Sequence, residues 1–490
     1  MGTSYGDIFK TTFLFGFVQV FKAVIAIIKN KIVAILIGPE GMGLIGVFNS
    51  TTGFIVTAAG LGIKQSAVRD VSEAYGAKNK PVFSRIICVT NRVILLTGAL
   101  GCLITLVLSN RLSEWTLGDT SYTVSYCVLA VVIAFNIINE SKTALLKGTR
   151  QLKSLAYSSI LGSIIGLLTA VPLYYFFGIE GIVPELFVAS ILGLLATEYF
   201  VRKIEYDKVQ LSGQETYQEA KPMLKMGVAL MFVTLLNVFV SFVINTYVRA
   251  YGGLQEVGFY NVGATILNSY FGLIVTAIST DYYPRIAAVN KNNVKIQEEL
   301  NNQSIVSVIL TGPMFVLFMA FLPFWIMFLY SSDFLPATNY IKYAIYWSLI
   351  TVCSNQVDMI LVAKFKTKIM TILAIIIRLF QMLLALLLYR VWGLTGLGIT
   401  FAILGVTHMV VMSVVVYHLY KIRFNNSFIK VGMMTMVFAI ASSLINEISD
   451  IYVRIMCAFA TLFFSITYSN YVMKKQLNLD IISYIKRKRR

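Results

Sequence analysis

Lys22 and Lys29 stand seven residues apart in a segment that is otherwise largely apolar. Seven residues bring a helix almost back to the same direction, so Thr12, Gln19, Lys22 and Lys29 lie near one face. Ammonium groups this far inside an apolar segment cannot both reach water along their own stems. Two readings follow. The lysines line a water-filled cavity and draw in an anionic substrate, or they pair with acidic groups on other helices or belong to an interfacial amphipathic start. Further along, Asn237 and Asn245 sit with Thr234 and Ser241 on one stripe, and Asn261 and Asn268 sit with Thr265 on another. Such stripes either hydrogen-bond a polar cargo or hold helices together. Arg92 and Glu140 are placed to pair between neighbouring helices, and Asp358 and Arg378 pose the same choice. A carboxylate at that depth can also titrate or bind Na⁺, which makes Asp358 and Glu140 candidates for coupling to an ion gradient. Lys342 lies nearer one end of its helix and can snorkel. His408 and His418 have no evident partner in the sequence and read as polar packing residues. No phosphate-binding glycine loop, HExxH pair, metal-spaced His/Cys cluster or nucleophile elbow is present, so nothing argues for an enzyme or for a resident cofactor.

The elements that carry these residues are long and apolar. The chain has 490 residues, 57% hydrophobic and 13% charged, with a mean hydropathy of +0.76. An ordinary soluble domain carries about 25% charged residues. Half that charge leaves too few polar groups to cover a globule, which excludes a soluble enzyme, a disordered chain and a disulfide scaffold. Long uncharged runs such as Met226–Val248 and Val391–Tyr420 exclude the alternating pattern of an outer-membrane barrel. The expectation is an all-α polytopic membrane protein with about fourteen spans, each needing about 20 apolar residues. They fall at 9–37, 43–63, 84–109, 122–147, 154–177, 182–203, 222–249, 256–281, 304–330, 336–363, 368–389, 394–420, 428–446 and 452–473. The opening segment has neither a basic leader nor a small-residue cleavage site and reads as a retained helix. The five cysteines lie in apolar segments without metal-ligand spacing and read as packing residues. Pro172, Pro313 and Pro323 fall within spans and predict kinks.

The net charge of +18 is unevenly spread. Most Lys and Arg lie in the even-numbered connections and at the termini, while the odd-numbered ones carry Arg111, Arg249, Arg390 and Arg454. The positive-inside bias then places both termini in the cytoplasm. The tail Lys486–Arg490 reads as an anchor to anionic lipid, with no aromatic or motif context for nucleic acid. The outer connections are too short to form a catalytic or binding domain.

Glycines mark an internal repeat. Gly38 and Gly43 bracket the first turn, and Gly253 and Gly258 bracket the seventh; Gly178 and Gly181 correspond to Gly393 and Gly396, and Lys153 to Lys368. Every pair is offset by 215 residues. A duplicated six-helix unit follows, with both copies in the same orientation because each has an even number of spans. The expected domains are an N-terminal lobe at 1–203, a cytoplasmic linker at 204–221, a C-terminal lobe at 222–420, two extra helices at 421–473 and a basic tail at 474–490. Part of the linker reads as a short surface helix.

The stretch Ile37-Gly38-Pro39-Glu40-Gly41-Met42-Gly43-Leu44-Ile45-Gly46, followed by Ala59-Gly60-Leu61-Gly62-Ile63 and Val68-Arg69-Asp70, resembles the start of Wzx-type polysaccharide flippases. These are the O-antigen and enterobacterial-common-antigen translocases of the multidrug/oligosaccharidyl-lipid/polysaccharide exporter superfamily. The sequence match covers roughly the first 75 residues; the rest of the likeness is architecture. The resemblance implies two six-helix lobes in a V, alternating access, and a cargo of undecaprenyl-diphosphate-linked oligosaccharide moved across the bacterial inner membrane from the cytoplasmic to the periplasmic leaflet. It implies that Lys22 and Lys29 attract the diphosphate, with Arg92 and Arg378 as weaker candidates. Gln19, Asn237, Asn245, Asn261 and Asn268 would meet the sugars or line the cavity. It implies Na⁺ or H⁺ as coupling ion, membrane lipid around a groove formed by the last two helices, and a polysaccharide polymerase and chain-length regulator as partners. A cation-coupled multidrug exporter of the same superfamily is the alternative transporter, and a repeat-unit polymerase the alternative of another class. Cationic cargo fits poorly with a first span that has no carboxylate after Asp7.

Overall fold

The computed structural model describes residues 5–477 apart from 208, with side chains from residue 16 onward except at 277 and 279–281. Thr12 and the tail Lys486–Arg490 therefore lie outside the described side chains. Every regular element among the described residues is helical. The order is α1 (Tyr5–Ala59), α2 (Ile63–Gly76), α3 (Lys80–Leu117), α4 (Thr123–Gly148), α5 (Leu152–Phe177), α6 (Ile182–Val201), α7 (Gly213–Thr265), α8 (Gly272–Ala288), α9 (Asn293–Ala320), α10 (Leu322–Leu329), α11 (Thr338–Ala363), α12 (Thr367–Tyr420), α13 (Asn426–Ile445) and α14 (Ile451–Leu477). Nine helical stretches among the described residues are long and apolar enough to cross a membrane, and Leu152–Val201, Gly213–Thr276 and Thr367–Tyr420 each hold two of the expected spans. Hydrocarbon offers no partner for a backbone amide, so the helix is the element that such a sequence must adopt.

The expected spans 1–2, 7–8 and 11–12 are continuous helices broken at Gly38, Gly253 and Gly393. Span 8 continues through a π-turn at Ile266–Phe271 into α8. Span 9 starts and ends earlier than expected. Helix α9 starts at Asn293 and stops at Ala320, and Pro323 opens the separate α10 because proline is tolerated in a first turn. Pro172 and Pro313 lie inside α5 and α9. Helix α2 was not expected. It is amphipathic, with Ile63, Ala67, Val71 and Ala74 buried along one side.

The backbone carries the repeat in detail. Gly38 (φ 63, ψ −170) and Gly253 (φ 79, ψ 180) share one conformation, and Gly178 (φ 55, ψ −131) and Gly393 (φ 56, ψ −136) share another. All four lie at positive φ, which only glycine occupies without a steric cost. The same 215-residue offset relates Arg150 (φ 55) to Phe365 (φ 57), the two left-handed residues that end α4 and α11. Each end closes with the same pair of hydrogen bonds: Arg150 N to Lys147 O and Gln151 N to Leu146 O, then Phe365 N to Val362 O and Lys366 N to Leu361 O.

The chain divides into two compact units, Met1–Gly258 and Phe259–Arg490. In the first, the α1 and α7 turns meet backbone to backbone. A Cβ on Gly43 would lie 1.8 Å from Leu254 O, and one on Gly258 would lie 2.1 Å from Pro39 O. The two contacts are repeat equivalents of each other. A core of Val71, Phe83, Ile87, Leu145, Leu146 and Phe200 closes the α2 end of this unit. In the second unit, Tyr282, Ile286, Leu300, Ile360, Leu361 and Val416 form the corresponding packed layer, and Ile305, Ile309, Cys353, Phe428, Val431 and Val472 join α13 and α14 to α9.

The start of α7 is fixed by a capping box. Ser212 Oγ accepts from Glu215 N at 3.2 Å, and Ser212 N donates to Glu215 Oε2 at 2.7 Å. The Ser212 amide and hydroxyl, with Arg85 nearby, hold the Glu215 carboxyl below its usual range. This cap is therefore complete at neutral pH and is lost only as pH falls through that lowered value.

The glycine contacts predict a contrast measurable as apparent melting temperature in detergent. Gly43→Ala pushes a Cβ into the Leu254 carbonyl and costs about 1–3 kcal/mol. Gly53→Ala, whose Cβ would meet nothing within 4 Å, is neutral or stabilising by about 1 kcal/mol or less.

Candidate functional site

Lys22 and Lys29 both lie in the first half of α1, about 10 Å apart along the axis at 1.5 Å per residue. Lys22 is half-buried and has no hydrogen-bond or ion-pair partner among the described residues. Lys29 is paired. Its Nζ donates to Glu185 Oε1 at 3.0 Å, and the other Glu185 oxygen accepts from the Tyr174 hydroxyl at 3.1 Å. Glu185 is 2% exposed and Lys29 30%. Glu185 lies in the first turn of α6, where the unpaired amides of a helix start favour a carboxylate. Gly166 on α5 leaves space beside the ammonium; a Cβ there would stand 3.5 Å from Lys29 Nζ. Gln19 is exposed on the same helix.

Arg92 and Glu140 do not pair with each other. Arg92 Nη1 donates to Leu211 O at 2.5 Å and to Thr216 Oγ1 at 2.9 Å, tying α3 to the start of α7. Arg85 binds Glu219 and Glu215, and Lys80 lies 3.2 Å from Asp207, so the whole segment before α7 is fastened along α3. Of the expected linker 204–221, the part from Gly213 is already helix. Glu140 is held by Lys64 of α2 at 2.8 Å, both about two-fifths exposed. The reason for this pairing is α2 itself, an element the hydropathy pattern does not reveal.

Among the asparagines, Asn245 is 2% exposed and donates to Ser241 O of its own helix at 2.8 Å, which makes it a packing residue. Asn261 is partly buried; Asn237 and Asn268 are exposed, and Asn268 sits in the π-turn. π-turns recur at functional sites because they break the regular ladder and re-aim side chains.

In the second unit, Asp358 and Arg378 line one cavity of about 210 Å³ with Thr351, Asn355 and His408. They are not ion-paired. Asp358 Oδ2 lies 3.5 Å from His408 Nε2, His408 Nδ1 lies 3.2 Å from Ser354 Oγ, and Arg378 Nη1 donates to Gln381 Oε1 at 2.6 Å. Asp358 Oδ1 is buried and accepts no hydrogen bond. His408 thus has the partner that the sequence did not supply. His418 is exposed, and Lys342 lies 4.0 Å from Glu447.

Sequence reasoning passed over Glu185 and Tyr174. Glu185 follows the Gly178–Gly181 turn closely and looks like a helix-end residue; its signal was a carboxylate in an otherwise apolar first turn. Tyr174 carries no signal beyond its polar tip.

Apolar helical bundles built from a repeat, with a few charges buried inside each, define a polytopic membrane protein. Solved structures agree on that fold. The backbone resembles the lipid II flippase MurJ in an inward closed conformation, with a TM-score of 0.64 at 14% identity, covering 94% of this chain and 100% of that one. It also resembles an inward-facing multidrug resistance MATE family transporter of the MOP superfamily, with a TM-score of 0.63 at 17% identity over 86% and 95%. Residues 8–290 match the polysaccharide biosynthesis protein family, and the chain belongs to that family. A Shigella flexneri protein whose name describes an O-antigen transporter is 20% identical over 57% of this chain and 66% of its own length. The lipid III flippase of Escherichia coli K12 is 26% identical over 32% and 37%. The match therefore spans less than two thirds of either relative.

The two ion pairs of the first unit predict different energetics. Glu185→Ala leaves Lys29 without its partner among apolar helices and costs about 2–3 kcal/mol. Lys64→Ala breaks a solvated pair and costs below about 1 kcal/mol. Thermal unfolding in one detergent ranks the two.

Proposed function

We propose that this protein flips a lipid-linked oligosaccharide, an O-antigen-type repeat unit on undecaprenyl diphosphate, from the cytoplasmic to the periplasmic leaflet of a bacterial inner membrane. The observation that carries the reading is Lys22, a half-buried ammonium in the first half of α1 with no hydrogen-bond or ion-pair partner among the described residues. An unpaired charge in that setting is costly and persists where it faces water or a ligand of opposite sign. A diphosphate is such a ligand, and family membership makes a glycan carrier lipid the cargo that bears one. Lys29 lies on the same face and is the second contact. Asn237 and Asn268, exposed on the polar stripes, are the candidates for sugar hydroxyls. Arg92 is a weaker candidate, since it is engaged with Leu211 and Thr216. Alternating access between leaflets, cytoplasmic termini, and a polymerase with a chain-length regulator as partners complete the reading. A multidrug exporter is the alternative favoured by likeness to the MATE backbone, yet Lys22 would repel cationic cargo.

Coupling to an ion gradient, in this reading, falls on Asp358. Its free oxygen and its His408 neighbour make a site for one proton, and the nearby Arg378 disfavours Na⁺. Glu140 is the poorer candidate because Lys64 already neutralises it.

Cells lacking the gene, with the upstream glycosyltransferases intact, accumulate lipid-linked oligosaccharide on the cytoplasmic leaflet and lose surface glycan. Lys22→Ala with Lys29→Ala reproduces this while inserting normally. Unchanged lipid-linked pools contradict the reading; accumulation on the periplasmic leaflet points to a polymerase. Asp358→Asn abolishes the response of flipping to an imposed proton gradient, and a response to Na⁺ alone contradicts the proton assignment.

A further inference from the structure

A carrier that alternates between leaflets must return without its cargo, and a cationic cargo site is then a liability. We propose that Glu185 is a built-in substitute for the anionic headgroup: it holds Lys29 in the empty carrier and hands it to the diphosphate when cargo binds. This rests on the flippase reading above and names the exchange of partners at its second lysine.

The geometry supports the exchange. Glu185 faces Lys29 with one oxygen and Tyr174 with the other. When Lys29 leaves, the carboxylate keeps the Tyr174 hydrogen bond. It is therefore buried yet never fully unsatisfied. Lys29 is the more exposed member of the pair, with a partly accessible side chain against a buried Glu185. Gly166 leaves the neighbouring helix surface clear for the swing. Glu180, in the preceding turn, is exposed and points to no member of the pair. Lys22 has no such substitute. The two lysines accordingly differ in role. Lys22 recruits an anion at all times, whereas Lys29 engages only when a headgroup outcompetes Glu185.

An internal competitor lowers affinity and speeds release and return. Removing it does the reverse, and that split separates the proposal from a purely structural salt bridge. Glu185→Gln keeps the shape and the Tyr174 contact while deleting the charge. Binding is read with farnesyl diphosphate on purified protein in nanodiscs, with farnesol as the uncharged control. Flipping is read in vesicles as a single round and as repeated turnover.

The expected result is affinity for farnesyl diphosphate raised about tenfold, worth about 1.4 kcal/mol. Farnesol binding is unchanged, the first round is retained, and repeated turnover falls. Glu185→Asp restores wild-type behaviour, and the gain from Glu185→Gln vanishes in a Lys29→Ala background. Should Glu185→Gln misfold, Tyr174→Phe gives a second test: it weakens the hold on Glu185 without deleting the charge and changes diphosphate affinity without changing farnesol binding. Unchanged or lowered affinity in a folded Glu185→Gln protein, with Lys29→Ala still weakening binding, overturns the proposal and leaves the flippase reading standing. If neither Lys22→Ala nor Lys29→Ala affects farnesyl diphosphate binding, the flippase reading itself fails.

Discussion

Hydrocarbon solvates neither an ion nor a backbone amide, and the architecture follows from that constraint. The amides are satisfied inside helices, so the chain has no other regular element among its described residues. The charges are satisfied in pairs or at polar seams. Lys29 with Glu185, Lys142 with Glu198 and Arg285 with Glu299 are each closed by a group from elsewhere in the same unit. Among the groups left open are the Lys22 ammonium and one oxygen of Asp358. They belong to different units, one cationic and one anionic. In the proposed reading they serve the two tasks of a coupled carrier, holding an anionic cargo and responding to a gradient.

The repeat explains how such a scaffold is specified with little polar information. Four glycines at positive φ set where helices break, and two more let the broken ends approach to backbone contact. The matched conformations at Gly38 and Gly253, at Gly178 and Gly393, and at Arg150 and Phe365 show one local design used twice. The ion pair of the candidate site does not repeat. Neither Lys29 nor Glu185 has a charged counterpart 215 residues later, where Ile244 and Thr400 stand. Duplication thus supplied the frame, and divergence placed the charges.

Much of the frame was legible in the sequence because hydropathy and glycine spacing report directly on spans and turns. Span 9 was misjudged because Ser304–Ser332 is uncharged throughout, and hydropathy does not register the break at Phe321. Helix α2 was missed for the opposite reason: it is too polar to appear in a search for spans. The buried charges were visible as candidates, but their partners were not. Pairing depends on which helices are neighbours, and span counting carries no such information. Arg92 therefore went to the Leu211 carbonyl rather than to Glu140, and Asp358 to His408 rather than to Arg378. Glu185 stands close to a helix end, where the sequence does not signal burial, and packing buries it.

The central claim is that the protein itself carries a diphosphate-linked glycan across a bilayer. The most direct measurement reconstitutes purified protein in vesicles with labelled undecaprenyl-diphosphate oligosaccharide and follows the label reached by an impermeant glycosidase. The account predicts that the accessible fraction rises above the outer-leaflet share with wild-type protein and stays at that share when Lys22 and Lys29 are both alanine. Equal accessibility with wild-type protein and with empty vesicles contradicts it.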